Sequence, residues 1–562
     1  MALAWQNTRW AEALINTLVV CGVQHFFIAP GSRNAPLSMA CLRLSHSLGT
    51  QCHTFFDERS LAFCALGAAK ASDTPTVVIT TSGSAVANLL PAAVEASQLA
   101  LPLILLTADR PEELIGVGAN QAIAQPGLFS HFVRYAQNLP LPDNEDVPEQ
   151  LALLAQQVLT SLRHTPGPIH LNVPLREPLY VEPSELDSAP SAWPVVDKPI
   201  LPEWLSAREP ATNVAPILLT SPTVLVAGEL QPEEAEVVLK LAEALQLPLL
   251  ADIGSQLRQR QHPNVLPVPH FLAQTGTLDA VQSIVQFGGR LVSKPLNQWL
   301  ESTSAPRYLF SASAALLDPS GRAVQRQVCA VDWPALLPDT LPDQTVFNQK
   351  LLATGAELSR IVGNCTQSMF SEYSVADTLS KLLPADHALM LGNSLSIRLF
   401  DQVAVQREQS NRVYCNRGAS GIDGLIATSA GLALVDRHPV TAMIGDMSAL
   451  YDLNSLAWLR NVTQTVVLVV LNNDGGQIFS MLPAAQQTDV FDAAFLQPHG
   501  LDFRDFCAGF GVSYQQVSSE SAFRQSYQQV CGQPGGHVIE VTVPSHAFRA
   551  HHALIQSHVH GR

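Results

Sequence analysis

Two apolar runs limit what this chain can become. Thr441-Ala-Met-Ile444 stops on Gly445-Asp446-Met447-Ser448, and Thr465-Val-Val-Leu-Val-Val-Leu471 stops on Asn472-Asn473-Asp474-Gly475-Gly476. Continuous apolar runs of this length, closed by polar and glycine turns, predict strands buried on both faces, as in parallel α/β sheets. Ser448–Leu459 between them has helical spacing, so the stretch reads as one β-α-β unit. Asp446 and Asn473 then stand at the carboxyl ends of two parallel strands, where open α/β sheets bind ligands, with a helix N-terminus between them. Side-chain oxygens and backbone amides together suit a metal-bridged diphosphate. Mg²⁺ wants oxygen ligands, a few from protein and the rest from phosphate and water, and Asp446, the Asn473 amide and a carbonyl near Gly475 would serve. The plainer alternative is an ordinary unit in which Asp446 caps a helix and Asn-Asn-Asp-Gly-Gly is only a turn.

Length and composition narrow the class. At 562 residues the chain has room for roughly three or four domains. Apolar residues make up 47% and charged residues only 14%, which suits buried parallel sheets and a large subunit interface, hence an oligomer. A formal net charge of −16 argues against nucleic acid as the main partner. Nine cysteines without a C-x-x-C pair indicate neither a disulfide framework nor a zinc site. The amino terminus lacks a basic segment followed by a long apolar one, and no run reaches the ~18 residues of a membrane span. No membrane insertion and a cytoplasmic location are expected.

Along the chain, residues 1–185 alternate helix and strand patterns: helices Trp5–Cys21, Pro36–His46, Arg59–Ala71 and Ala85–Ala96, strands His25–Ala29, Thr54–Phe56, Thr76–Thr80, Leu103–Leu106 and Ile169–Val173. Residues 186–222 are proline-rich and read as a linker. A second unit, 223–345, carries strands Thr223–Ala227, Pro248–Ala251, Ile284–Phe287, Arg307–Phe310 and Val328–Val331 and helix Pro232–Leu245. A further linker is expected at 346–370. The third unit, 371–545, holds the opening segment, helix Val375–Leu383 and strands Ala388–Leu391 and His537–Val543; 546–562 reads as a terminal helix or tail. The class is α/β, three domains with mostly parallel central sheets flanked by helices.

Several loops at predicted strand ends carry chemistry. Ala29-Pro-Gly-Ser-Arg33 offers either a plain turn or an anion-binding loop with Arg33 as a fork for carboxylate. In Phe56-Asp-Glu-Arg59, Asp57 suits an N-cap and Glu58 either a first-turn acid favoured by the helix dipole or a working carboxylate. Thr80-Thr-Ser82-Gly-Ser84 again reads as strand, turn and helix start. Arg110 and Gln121 fall at the same edge. Lys294 follows a Gly turn in the middle unit, and Gly392-Asn-Ser394-Leu-Ser-Ile-Arg398 and Asn416-Arg417-Gly-Ala-Ser-Gly-Ile422-Asp-Gly424 add two arginines in the third. Five cations at strand ends in a chain poor in charge point to a multiply anionic substrate.

The frame Gly-Asp-x…Asn-Asn resembles the thiamine diphosphate fingerprint. Ala29-Pro-Gly-Ser-Arg, Phe56-Asp-Glu-Arg, Leu106-Thr-Ala-Asp-Arg-Pro, Gly118-Ala-Asn-Gln, Asn416-Arg-Gly-Ala-Ser-Gly-Ile-Asp-Gly and Asn472-Asn-Asp-Gly-Gly-Gln-Ile-Phe are similar to the 2-succinyl-5-enolpyruvyl-6-hydroxy-3-cyclohexene-1-carboxylate synthase family of the menaquinone pathway. The resemblance implies decarboxylation of 2-oxoglutarate on thiamine diphosphate and 1,4-addition of the succinyl carbanion equivalent to isochorismate. It implies a transferase with Mg²⁺, Mn²⁺ being tolerated, a pyrimidine-binding first domain, a diphosphate-binding third domain, and a homodimer or homotetramer with sites at the subunit interface.

Carried over by motif, Asp446, Asn473 and the Gly475 carbonyl resemble the metal ligands. Ser448 resembles a diphosphate contact, and Glu58, Ser82, Ser394, Ile422, Ile478 and Phe479 resemble cofactor contacts. Ser394, Arg398 and Arg417 look like the group for the succinyl carboxylate; Ser32, Arg33, Arg110, Gln121, Lys294 and Leu482 look like the isochorismate side. Glu58, Arg33, Arg398 and Arg417 are the residues implied in catalysis. The chain departs from the pattern at Pro295, where a second basic residue is common, and at Met447 in place of the frequent Gly of Gly-Asp-Gly. Two alternatives stay open: a pyruvate-using enzyme of the same cofactor class, and a non-catalytic nucleotide-binding protein. The second has no Gly-x-Gly-x-x-Gly behind any predicted strand.

Overall fold

The computed structural model describes residues 2–72, 74–142, 147–182, 216–313, 315–435 and 438–561. Among the described residues, the strands form three wholly parallel sheets. The first uses β1 (His25–Ile28), β2 (Gln51–Thr54), β3 (Thr76–Thr80), β4 (Leu103–Asp109), β5 (Tyr135–Asn138) and β6 (Ile169–Pro174) in the order β2-β1-β3-β4-β6-β5. The second uses β7 (Thr223–Ala227), β8 (Leu249–Ala251), β9 (Ser283–Phe287), β10 (Arg307–Ser311) and β11 (Val324–Gln327) in the order β11-β10-β9-β7-β8. The third uses β12 (Ala388–Leu391), β13 (Val413–Cys415), β14 (Val440–Gly445), β15 (Thr465–Asn472), β16 (Ser513–Val517) and β17 (Gly535–Thr542) in the order β13-β12-β14-β15-β17-β16. Relative to their own first strands, the first and third sheets have one and the same order. In each, the order reverses between the first and third strands, the place where parallel sheets open a crevice at their carboxyl ends.

The chain divides into two compact units. The first holds Met1–Ala207, Asn416–Arg437 and Asp452–Trp458; the second holds Arg208–Cys415, His438–Tyr451 and Leu459–Arg562. The strands β1, β3, β4, β6, β12 and β15 are buried along their whole length, as the continuous apolar runs require, and β14 and β17 are buried in all but their end residues. In the first unit the helix Glu58–Ser72 lies against the helix Leu425–Val435. Small residues allow this: a Cβ on Gly67 would stand 2.2 Å from the Thr428 carbonyl, and one on Gly431 2.0 Å from that of Cys64.

The structure corrects several expectations. The linker expected at 346–370 is the helix Thr345–Thr366, which buries Leu351, Leu358, Val362 and Cys365 along one stripe. The terminal segment, expected as a helix or a tail, is the helix Ala547–His560, with Phe548, His551, Ile555 and Val559 buried. The expected strand Val328–Val331 lies one turn late: β11 ends at Gln327, and Ala330–Asp332 is a 3₁₀ turn. The short strand expected at Thr54–Phe56 is Gln51–Thr54. The helix expected over Ala85–Ala96 is two, Ser84–Ala87 and Leu90–Gln98, since Pro91 cannot continue the first. Ser448–Leu459 is also broken. Asp452 is fully buried and turns its carboxylate to the Ser455 hydroxyl and the N–H groups of Ile426 and Ala427, interrupting the helix after Tyr451. Of the proline-rich linker, 186–215 lie outside the described residues. Among the described residues, no helix is long and apolar enough to cross a membrane.

Candidate active site

In the first unit, the carboxyl ends of β1 to β4 deliver Ser32 and Arg33, Glu58, Ser82, and Arg110 in that order. Arg33 is buried, and its fork is engaged rather than open. Nη1 donates to the Leu175 carbonyl at 2.9 Å and Nη2 to Glu177 Oε1 at 2.8 Å. The Glu177 side chain is 70% exposed, so this ion pair is screened by solvent and weakly held. Ser32 is exposed beside it.

Ser82, Arg110 and Gln121 come together. Arg110 Nη1 donates to Ser82 Oγ and, at 3.0 Å, to the Gln121 carbonyl, while Gln121 Nε2 donates to the Ser82 carbonyl at 2.9 Å. Gln121 holds φ +58°, a conformation long side chains seldom adopt. Beneath them lies a buried network that single-residue reading did not find. Asn172 donates to Asp109 Oδ2 at 2.8 Å and accepts from Thr107 and Gln125, and Gln125 Oε1 accepts the Gly83 N–H at 3.0 Å. Burial raises the Asp109 pKa, with Asn172 and Arg110 opposing.

Glu58 is half-buried in the first turn of its helix. Asp57 has the capping role, its Oδ1 accepting from the N–H groups of Arg59 and Ser60 at 3.0 and 3.2 Å. The same turn is pinned by Ser60 Oγ, 2.7 Å from Ser455 Oγ and accepting Trp458 Nε1–H at 3.1 Å. Arg417 and Ile422 are half-buried on a loop of the same unit. That loop is held by Glu95, a buried carboxylate that accepts the N–H groups of Gly418 at 2.8 Å and Ala419 at 2.6 Å.

In the second unit, β12, β14 and β15 bring Ser394, Asp446 and Asn473 to one sheet edge. Asp446 is 2% exposed. Its Oδ1 accepts the Met447 N–H at 2.7 Å; Oδ2 accepts the Gly475 N–H at 2.8 Å and lies 3.2 Å from His499 Nε2. Burial raises its pKa, against those bonds. Ser448 is buried in the short helix Asp446–Tyr451. Asn473 Nδ2 donates to Glu372 Oε1 at 2.6 Å, and Asn472 Nδ2 to Glu540 Oε1 at 2.6 Å, so each amide of the pair has its own buried glutamate. Neither glutamate nor His499 was singled out from sequence; each lies far along the chain from the residue it serves.

Backbone conformation marks the same places. Ser394 has φ +67°, Asp474 +61° and Gly475 +115°, sparsely populated values that cluster where a site over-determines them. Arg398 Nη1 donates to the Ser394 carbonyl one helical turn back, which fixes both residues. Ile478 is half-buried, and Phe479 and Leu482 are exposed, on and just after the 3₁₀ turn Gln477–Met481. Lys294 is exposed at the start of the helix Lys294–Ser302 beyond β9.

Among the described residues, no group of three or more His, Cys, Asp or Glu side chains could hold a metal alone. A cation here needs mixed oxygen donors completed by its ligand, which is what Asp446, the Asn473 amide and the Gly475 carbonyl offer a Mg²⁺–diphosphate. The donor set fits. Glu372 Oε2 is buried without a partner beside it, and Gly475 leaves no room for a Cβ, which would stand 2.1 Å from the Leu496 carbonyl.

Comparison with known proteins agrees with this chemistry. Residues 8–128 match the thiamine pyrophosphate enzyme N-terminal TPP binding domain, 197–391 the middle domain of thiamine pyrophosphate enzymes, and 399–541 the C-terminal TPP binding domain. The 2-succinyl-5-enolpyruvyl-6-hydroxy-3-cyclohexene-1-carboxylate synthase of Halorhodospira halophila is 42% identical over 96% of both chains. That of Aeromonas salmonicida is 39% identical over 96% of both. The crystal structure of benzoylformate decarboxylase from Polynucleobacter necessarius superposes with a TM-score of 0.68 at 16% identity, over 95% of this chain and 98% of that one, a likeness of fold. With near-complete coverage at this identity, the chain belongs to the 2-succinyl-5-enolpyruvyl-6-hydroxy-3-cyclohexene-1-carboxylate synthase family of thiamine diphosphate-dependent enzymes.

Proposed function

We propose that this protein decarboxylates 2-oxoglutarate and adds the remaining four-carbon unit to isochorismate, forming 2-succinyl-5-enolpyruvyl-6-hydroxy-3-cyclohexene-1-carboxylate and CO₂ in menaquinone biosynthesis. The observation that carries the reading is the buried oxygen cluster of Asp446, Asn473 and Gly475 at the ends of β14 and β15, built by backbone that tolerates no side chain at Gly475. These three residues would hold Mg²⁺ or Mn²⁺, with Ser448 on the diphosphate. Thiamine diphosphate, when bound, supplies the electron sink for the electrons left as CO₂ departs.

The chain's own groups do the rest. Glu58 holds the proton shared with the aminopyrimidine ring and sets its tautomer. Arg398 and Arg417 pair with the distal carboxylate of 2-oxoglutarate, the guanidinium fork matching carboxylate geometry, and Ser394 orients it. Arg33, Arg110, Lys294, Ser32 and Gln121 receive the dianionic isochorismate, with Ser82 fixing Arg110. Ile422, Ile478, Phe479 and Leu482 exclude water from the reacting carbons. The working form is a cytoplasmic homo-oligomer, dimer or tetramer, in which Glu58 of one subunit serves the cofactor held by the other.

The test is CO₂ release from 2-oxoglutarate by purified protein. It should require thiamine diphosphate, a divalent metal and isochorismate together. Product formation from pyruvate with none from 2-oxoglutarate would overturn the substrate assignment, since pyruvate has no distal carboxylate for two arginines.

A further inference from the structure

The helix Glu372–Leu382 begins at the foot of the β15 edge, and its first side chain is a carboxylate with no exposure to solvent. Glu372 Oε1 accepts Asn473 Nδ2–H at 2.6 Å. In its ionised form the carboxylate can only accept and an amide nitrogen can only donate, so this bond turns the Asn473 nitrogen toward Glu372. Its nitrogen is committed to Glu372, and its Oδ1 is turned away and left to bind a cation. Without an acceptor there, the amide rotates about a soft terminal torsion and presents nitrogen as readily as oxygen.

The helix start that carries this carboxylate is held on both sides. Ser371, the N-cap, accepts the Tyr373 N–H at 3.1 Å, and its Oγ lies 2.5 Å from His551 Nδ1. His551 Nε2 lies 2.8 Å from the Cys365 carbonyl, so the ring ties the helix start to both the C-terminal helix Ala547–His560 and the helix Thr345–Thr366. Tyr373 OH donates to Gln402 at 2.9 Å and lies 2.8 Å from His552 Nδ1. Glu372 is thus clamped between two residues that are each hydrogen-bonded to the C-terminal helix.

We propose that Glu372 is a positioning residue for the metal site: it locks the Asn473 amide with its oxygen toward the divalent cation, and the C-terminal helix holds it in place. The inference rests on Asp446, Asn473 and Gly475 being the metal ligands. Outer partners of this kind commonly change metal affinity by about 10–100-fold.

Two variants separate reach from charge. Glu372→Asp keeps the charge but retracts it by one methylene, beyond hydrogen-bond reach of the amide; Glu372→Gln keeps the reach and an acceptor oxygen but not the charge. Mn²⁺ binding in the presence of thiamine diphosphate is followed by the loss of the free Mn²⁺ electron paramagnetic resonance signal, alongside kcat at saturating metal. Glu372→Asp should weaken Mn²⁺ binding about 10–100-fold, with kcat recovered at high metal, whereas Glu372→Gln should stay within about 3-fold of the parent. Parent-like Mn²⁺ affinity in Glu372→Asp, or a larger loss in Glu372→Gln than in Glu372→Asp, overturns the proposal. If the parent protein itself binds no Mn²⁺ with thiamine diphosphate, the metal-site reading falls instead. A purely structural role would lower thermal stability without moving Mn²⁺ affinity.

Discussion

His499 Nε2 lies 3.2 Å from Asp446 Oδ2, while Nδ1 of the same ring accepts the Leu501 N–H at 3.0 Å. Because Nδ1 accepts, the neutral ring carries its proton on Nε2 and donates it to Asp446. With the Gly475 and Met447 N–H groups, three donors then fix the carboxylate. His499→Ala should therefore weaken Mg²⁺ and Mn²⁺ binding by roughly 10-fold or more and leave kcat at saturating metal little changed. A metal titration of activity and of cofactor binding checks this. An unchanged metal requirement would make the contact incidental.

Glu58 gives a different signature. Asp57 caps the helix and the Ser60–Trp458–Ser455 contacts pin its first turn, so replacing Glu58 removes no structural bond of that helix start. Glu58→Gln is expected to bind thiamine diphosphate and melt close to the parent, yet lose about 100-fold or more in turnover. Unchanged turnover would remove Glu58 from the mechanism.

The Arg417 loop also separates position from chemistry. Glu95 holds the backbone of Gly418 and Ala419, so Arg417→Ala deletes a cation while the loop stays anchored. The expected cost is roughly 2–4 kcal/mol in kcat/KM for 2-oxoglutarate, from a substrate carboxylate left unpaired. A keto acid without a distal carboxylate should lose much less. Equal losses with both substrates would refute the assignment, and Arg398→Ala should follow the same pattern.

Those three cases show what the sequence does and does not announce. Strand ends such as Gly445-Asp446 and Asn472-Asn473 were legible because a doubly buried strand is a continuous apolar run and its end is a change of composition. The edge strands β5 and β16 were not, since half their residues face solvent and the run is polar. The helix Thr345–Thr366 had its stripe in plain view at Leu351, Leu358 and Val362, but its polar remainder resembled a connection. Glu372, Glu540, Glu95 and His499 were invisible for another reason. Each acts on a residue tens to hundreds of positions away, and no local pattern encodes that meeting.

Asp452 carries a stability prediction. Its buried carboxylate accepts from Ile426, Ala427 and the Ser455 hydroxyl at 2.9, 3.1 and 2.7 Å. Burial nevertheless lifts its pKa from 3.8 to about 6, those bonds and Arg59 opposing. The folded state then holds a proton that the unfolded chain has lost between about pH 4 and 6. Stability from this group is greatest below that window and declines as pH rises through it, by up to about 3 kcal/mol. Asp452→Asn should flatten that decline, and Asp452→Ala should lower the thermal midpoint at every pH by orphaning helix N–H groups, at about 1–3 kcal/mol each. Melting curves from pH 4 to 8 decide it; a slope unchanged in Asp452→Asn would place the proton elsewhere.

Gly475 offers the most restrictive test of the proposed metal site. At φ +115° an L side chain is strained whatever the space, and here a Cβ would stand 2.1 Å from the Leu496 carbonyl. Backbone cannot yield as a flexible side chain does, so Gly475→Ala must displace either the Leu496 segment or Gly475 itself. Displacing Gly475 breaks its N–H bond to Asp446 Oδ2 and moves its carbonyl, two features of one site lost by one methyl group. The Leu496 carbonyl is the less yielding side, because it also accepts the Gly476 N–H at 2.7 Å. Gly475→Ala is therefore expected to remain folded, since β15 ends at Asn472, but to lose at least about 10-fold in Mn²⁺ affinity and a similar factor in cofactor binding. Isothermal titration of thiamine diphosphate with and without Mn²⁺ measures both. Parent-like binding would mean that the Gly475 carbonyl is not among the ligands and that Asp446 and Asn473 hold the cation with solvent in its place.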